Sequence, residues 1–156
     1  MDRSLGADAP RARNGSLALP REPLGRALLL AMVTLLACDV VGGLIAVVSG
    51  VDTWDHAWGF DTTSTVPLPV GVVQLVLAWL AARDVRPPIG LISAVLLSPF
   101  CLASLLFGSL DGDLKGNIAS AGWFSWGVVW AFALLAVTAV VGVLAAAQAK
   151  RLRRHR

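Results

Sequence analysis

The sequence predicts an all-α integral membrane protein whose four helices form an antiparallel up-down-up-down bundle. Two observations lead to this fold class. Four long apolar stretches alternate with short polar connections, and the positive charges lie almost entirely on alternate connections. Apolar residues make up 56% of the 156 residues. A helix needs about 20 mostly apolar residues to cross roughly 30 Å of hydrocarbon, so we expect four crossings.

The first apolar stretch, residues 27–49, follows an N-terminal tail over residues 1–26 that mixes arginine with proline and glycine. The tail has no apolar periodicity, and we expect it to be disordered and cytoplasmic. The stretch itself is longer than the roughly 7 to 15 apolar residues of a secretory signal peptide, and no small-residue cleavage motif follows a shorter apolar region. We therefore expect it to remain in the protein as the first span.

The second stretch, residues 67–82, is short for a span. It is so uniformly apolar that it lacks the polar face of a soluble amphipathic helix, which favours a membrane span. The third stretch, residues 89–107, contains Pro99 near its middle. Proline lacks a backbone donor, and its ring clashes with the carbonyl group of the preceding turn, so we expect a helix kink there.

The fourth stretch, residues 123–147, completes a bundle over residues 27–149, and a basic cytoplasmic tail follows over residues 150–156. Trp123 and Trp126 open this stretch, as expected for indole rings at the headgroup boundary. Short connections favour antiparallel neighbours. Small residues at helical spacing in all four stretches predict the faces through which the helices pack.

The loop of residues 50–66 carries Trp54, Trp58 and Phe60, which predicts that it lies on the membrane surface. It also carries His56 and several carboxylates, whose nitrogen and oxygen atoms are potential ligands for a divalent cation. Their spacing matches no metal site. We therefore predict no metal ion and no cofactor.

The distribution of lysine and arginine predicts the orientation. Only Lys115 lies between the third and fourth stretches, whereas all other lysines and arginines lie in the two tails and in the connection between the second and third stretches. Basic residues near the ends of spans are retained on the cytoplasmic side, so we expect both termini there. Abundant arginine and alanine without tyrosine are typical of a GC-rich bacterium, which favours the plasma (inner) membrane.

Asp39 places a carboxylate near the middle of the first stretch. A charge at that depth costs about 2.5 to 3.5 kcal/mol on translocon scales, so such residues usually face the bundle interior and mark a functional site. Gln74, Ser98 and Thr138 lie at similar depth in the other three stretches, and we hypothesise that all four form one polar layer. Because desolvation disfavours the ionised form, Asp39 would donate a hydrogen bond as an acid or accept a proton when water reaches it. The alternative is a neutral, structural Asp39 that bonds Gln74 or a backbone carbonyl.

No residues in the sequence form a catalytic motif. Cys38 and Cys101 lack a Cys-x-x-Cys partner, so they are expected to be buried apolar side chains rather than redox groups. A phosphate-binding glycine loop, an HExxH helix and a nucleophile elbow are all missing from the sequence. We therefore predict no catalytic residue and no enzymatic activity.

The sequence alone leaves two functions open. The first is a small structural or accessory subunit that is embedded in the bilayer and belongs to a larger membrane complex or a homo-oligomer. The alternative is a small proton-coupled carrier or transporter that uses Asp39, which would need to oligomerise because four helices enclose little volume. The basic C-terminal tail follows from topology alone, so we expect it to recognise neither a specific anionic lipid nor a nucleic acid.

Overall fold

The structure is a computed structural model, which describes residue 20 and residues 22–50, 53–59, 66–83, 87–110, 118–119, 123 and 126–154. Several predictions lie outside the described residues. They include residues 1–19 of the tail predicted to be disordered over residues 1–26, the position of Phe60 and the loop that carries Lys115. The last four residues of that tail, 23–26, are helical, so the prediction of disorder is wrong for them.

The described residues form four long helices: α1 Pro23–Val48, α2 Leu68–Ala82, α3 Pro87–Leu110 and α4 Trp126–Arg154. This confirms the all-α fold for the part of the chain that is described. Three of these helices, α1, α3 and α4, contain segments long and apolar enough to cross a membrane, whereas α2 has only 15 residues. The apolar helices support a membrane location.

The helices differ from the predicted spans mainly at their ends. α1 starts at Pro23 rather than at residue 27, because proline is favourable in the first turn, where its missing N–H has no partner in any case. α4 starts at Trp126 and continues beyond residue 147 to Arg154. Hydropathy marks only the apolar part of a helix, while lysine and arginine are good helix formers that suit a helix C-terminus. Most of the predicted basic tail is therefore helical.

α3 also extends beyond the predicted span at both ends, and it continues through Pro99 without interruption. Two prolines begin this helix. They are tolerated there because the backbone N–H groups of the first turn have no helical acceptor in any case. The kink at Pro99 remains a prediction.

α2 is too short to cross the bilayer unaided. Its 15 residues extend about 22 Å at about 1.5 Å per residue, which is less than the roughly 30 Å of hydrocarbon. The first loop, which precedes α2, is joined to the start of this helix. The Leu68 N–H donates to the Trp58 carbonyl oxygen at 3.0 Å. The ring of Trp58 packs against Gly43 of α1. Trp58 therefore packs against the bundle, whereas Trp54 of the same loop is exposed. The location of this loop on the membrane surface remains a prediction.

The beginning of α1 meets the ends of α2 and α4. A Cβ atom on Gly25 would lie 2.8 Å from the carbonyl oxygen of Ala82, and Glu22 forms an ion pair with Arg151. The Gln148 amide of α4 donates to the carbonyl oxygen of Ala81 at 3.1 Å. We call this end of the molecule the basic end.

Apolar side chains occupy most of the interior between the four helices. Leu28, Met32, Leu35 and Leu97 are at most 2% exposed, and they belong to one buried cluster with alanines of α2, α3 and α4. The outer surface is also apolar: Val48 is 84% exposed and Val143 is 69% exposed. Extended apolar surface is unusual against water and ordinary against lipid tails, which agrees with a membrane location.

Candidate functional site

Asp39 lies on the buried side of α1 and is 6% exposed. The backbone N–H of Val66, two residues before α2, donates a hydrogen bond to its carboxylate. The other carboxylate oxygen, Oδ1, is buried and has no hydrogen-bond partner among the described residues. The carboxylate therefore retains capacity to accept a hydrogen bond inside the bundle.

Two glycines one turn after Asp39 let indole rings pack directly on α1. Gly42 and Gly43 follow Asp39 by three and four residues, so they lie on the same face of α1, one turn further along. A Cβ atom would lie 2.8 Å from the Trp130 Nε1 atom at Gly42 and 2.6 Å from the Trp58 Nε1 atom at Gly43. Only glycine allows this approach, which sets a ring of α4 and a ring of the first loop against α1.

The two indole N–H groups are also unsatisfied. Nε1 of Trp58 and Nε1 of Trp130 are buried without an acceptor in the described part of the chain. An indole N–H only donates, whereas a carboxylate oxygen accepts. α1 thus carries one free acceptor, Asp39 Oδ1. The two rings that pack on α1 about one turn, or 5.4 Å, further along carry two free donors. We call Asp39, Trp58, Val66 and Trp130 the Asp39 site.

The Asp39 site has the hydrogen-bonding character of a small polar binding site. Each unpaired polar group that is buried costs about 1 to 3 kcal/mol unless something bonds it. Water, or another small molecule that donates one hydrogen bond and accepts two, matches this set of groups.

Two other residues of the predicted polar layer are buried but already bonded. The Gln74 amide donates to the Ser104 hydroxyl at 3.5 Å, and Ser104 donates to the carbonyl oxygen of Phe100 at 3.0 Å. Thr138 donates to the carbonyl oxygen of Leu134, one turn earlier in its own helix, at 2.8 Å. Gln74 and Thr138 therefore face the interior, but neither is hydrogen-bonded to Asp39.

Ser98 is not brought together with the other three residues. It is half-buried and lines a groove between α3 and α4 together with Pro99. Ser104 meets Gln74 instead, on a different face of α3. The role of the polar layer as a functional unit remains a prediction.

Some buried polar residues were not predicted. Ser93 and Gln148 are each 3% exposed, and the indole N–H groups of Trp58 and Trp130 complete the Asp39 site. The adjacent glycines after Asp39 are the sequence signal for the packed rings, because paired glycines inside a span mark a close approach. The sequence does not indicate which rings approach them.

The remaining reactive groups are two cysteines and a charged pair in the first loop. Cys38 is half-buried, Cys101 is buried, and both thiols are free. In the first loop, Asp55 and His56 form an exposed pair at 3.5 Å, and a hydrogen bond from the Thr53 side chain lowers the pKa of Asp55. The described residues contain no group of three or more histidine, cysteine, aspartate or glutamate side chains that could hold a metal ion.

Comparisons with protein-family models, curated proteins and solved structures found no match for this chain. Its function has to be argued from the packing of the bundle and from the Asp39 site.

Proposed function

We propose that this protein is a non-enzymatic, multi-pass protein of the bacterial plasma membrane that acts as a structural or accessory subunit of a larger membrane complex. The apolar interior supports this proposal most directly. Leu28, Met32, Leu35 and Leu97 pack into one buried cluster between the helices. Such packing suits a bundle that holds neighbouring subunits in place better than one that moves a solute.

We further propose that the helices run antiparallel in up-down-up-down order, with both termini cytoplasmic and with α2 crossing the bilayer together with the first loop. Two contacts between α1 and α4, at different positions along the bundle, support this arrangement. Near the start of α1, Glu22 pairs with Arg151 at the end of α4, and further along α1, Gly42 meets Trp130 near the start of α4. The basic residues beside Arg151 match the charge bias of a cytoplasmic end.

The accessory role is tested by purification from the native host in mild detergent, followed by mass spectrometry. We expect a stoichiometric protein partner, which is retained when Asp39 is replaced by asparagine, because the proposed role does not depend on this carboxylate. A homo-oligomer without other subunits, altered by the Asp39→Asn change, would contradict the accessory role.

The second candidate is a proton-coupled carrier, which is favoured by one specific observation. The Asp39 Oδ1 atom is buried and has no hydrogen-bond partner among the described residues, and ionisable groups inside a bundle are commonly proton relays. A carrier would have to open the apolar packing towards the basic end during its cycle. It would also need an oligomer to enclose a substrate.

The carrier is tested by proton flux into liposomes that contain the purified protein and an internal pH-sensitive dye. An imposed pH gradient should drive flux that is lost in Asp39→Asn and retained in Asp55→Asn. The latter makes the same chemical change at an exposed carboxylate of the first loop. Wild-type protein without flux above that of empty liposomes would exclude proton conduction by Asp39 alone.

A further inference from the structure

A groove with a volume of about 620 Å³ runs between α3 and α4 on the outer surface of the bundle. Val95, Ser98 and Pro99 of α3 and Ala146 of α4 line one part of it. Apart from the Ser98 hydroxyl, these side chains are apolar. This part of the groove therefore offers a mostly apolar wall.

Three cations line the other part of the groove: Lys150, Arg153 and Arg154 from the last turns of α4. None of them forms an ion pair with a residue that the structure describes, in contrast to Arg151, which pairs with Glu22. The groove therefore combines an apolar wall with three cations that have no protein counter-ion in the described part of the chain.

The depth of this groove in a bilayer follows from the length of α4. Its 29 residues extend about 43 Å, which exceeds the roughly 30 Å of hydrocarbon, so its charged last turns reach the headgroup region. An apolar wall at the depth of the lipid tails and cations at the depth of the phosphates match one lipid molecule. We propose that the groove binds an anionic phospholipid, with an acyl chain along Val95, Pro99 and Ala146 and the phosphate at the three cations.

This proposal is independent of the accessory and carrier roles, because it rests on other residues. It is tested by native mass spectrometry of the full chain in detergent, titrated with phosphatidylglycerol or phosphatidylcholine of identical acyl chains. We expect one phosphatidylglycerol to bind at least about tenfold more tightly than phosphatidylcholine, since a basic residue near an anionic lipid contributes a severalfold gain in affinity. Equal binding of the two lipids overturns the proposal.

Two variants that each lose three positive charges distinguish lipid binding in the groove from general attraction to the basic end. Replacing Lys150, Arg153 and Arg154 by glutamine should abolish the preference for phosphatidylglycerol. Replacing Arg26, Arg83 and Arg151 by glutamine should retain it. The control cations have other partners: Arg26 donates to the Pro20 carbonyl oxygen, Arg83 stacks on Trp79, and Arg151 pairs with Glu22. Equal loss in both variants overturns the proposal.

A second pair of variants tests the apolar wall while all cations are kept. Ala146→Phe fills the groove, whereas Val143→Phe adds a ring at a position of α4 that is 69% exposed and lies outside the groove. We expect about tenfold weaker phosphatidylglycerol binding for Ala146→Phe only. Unchanged binding by Ala146→Phe, displacement of the lipid by inorganic phosphate, or occupation of the groove by a co-purifying protein that Ala146→Phe releases would each overturn the proposal.

Discussion

The Trp58 side chain reaches α1 only because residue 43 is glycine. The ring packs where a side chain at position 43 would otherwise lie, and the same holds for Trp130 at Gly42. These two contacts hold the first loop and the start of α4 against the turn of α1 that follows Asp39. The environment of the carboxylate is therefore set by residues distant in sequence.

Gly43→Ala should destabilise the protein. The new Cβ atom would lie 2.6 Å from the Trp58 ring, so the ring has to move, and overpacking of this kind costs about 1 to 3 kcal/mol. Thermal unfolding in detergent, followed by circular dichroism, should show a lower midpoint. Gly127→Ala is the control, because nothing lies within 4 Å of the corresponding position there. Equal midpoints for the two variants would contradict the close packing of Trp58 on α1.

The sequence predicts part of the Asp39 site and misses the rest for a physical reason. The cost of a carboxylate in hydrocarbon identifies Asp39 and its inward direction. The partners Trp58 and Val66 come from a loop that folds into the bundle, and hydropathy carries no information about such a fold. Depth in the membrane alone predicts Ser98 as a member of the polar layer. The face of α3 that meets Gln74 carries Ser104 instead.

At the scale of the helices, hydropathy predicts the existence of four apolar segments but not their ends. Local chemistry sets those ends: proline starts α1 and α3, and the good helix formers of the C-terminal segment extend α4 to Arg154. α2 is the exception, because Leu68–Ala82 lies within one residue of the predicted stretch 67–82 at both ends.

Three glycine-to-alanine changes should show graded effects on helix packing. At Gly25 the new Cβ atom would lie 2.8 Å from the backbone oxygen of Ala82, at Gly142 it would lie 3.2 Å from the Cys101 Cβ atom, and Gly127 is open. A backbone oxygen cannot rotate away, so α1 and α2 must separate in Gly25→Ala. We expect the unfolding midpoint to fall most for Gly25→Ala, less for Gly142→Ala and not at all for Gly127→Ala. Any other order would argue against this packing of the helices.

At the scale of the whole molecule, one end of the bundle is basic and the lateral surface is apolar. The start of α1 and the end of α4 meet at the basic end through Glu22 and Arg151, next to the cations of the α3–α4 groove. This asymmetry of charge along the bundle is what orients a membrane protein during insertion.

Alkaline phosphatase fusions should report this orientation. A fusion after Arg156 should be inactive because the reporter would stay in the cytoplasm, whereas a fusion after residue 113, in the connection between α3 and α4, should be active. Immunoblots of both fusions check that expression is equal. An active fusion at the C-terminus would reverse the proposed topology.

The short α2 has a consequence for the lipid around the protein. In the arrangement proposed above, the bilayer meets a helix of only about 22 Å on one flank and the much longer α4 on another. Hydrophobic mismatch of this kind is relieved by local thinning, by tilt or by association, at a cost of fractions of a kcal/mol per Å. Shorter-chain lipids or a neighbouring protein should therefore gather beside α2, which gives the molecule two distinct sides in the plane of the membrane.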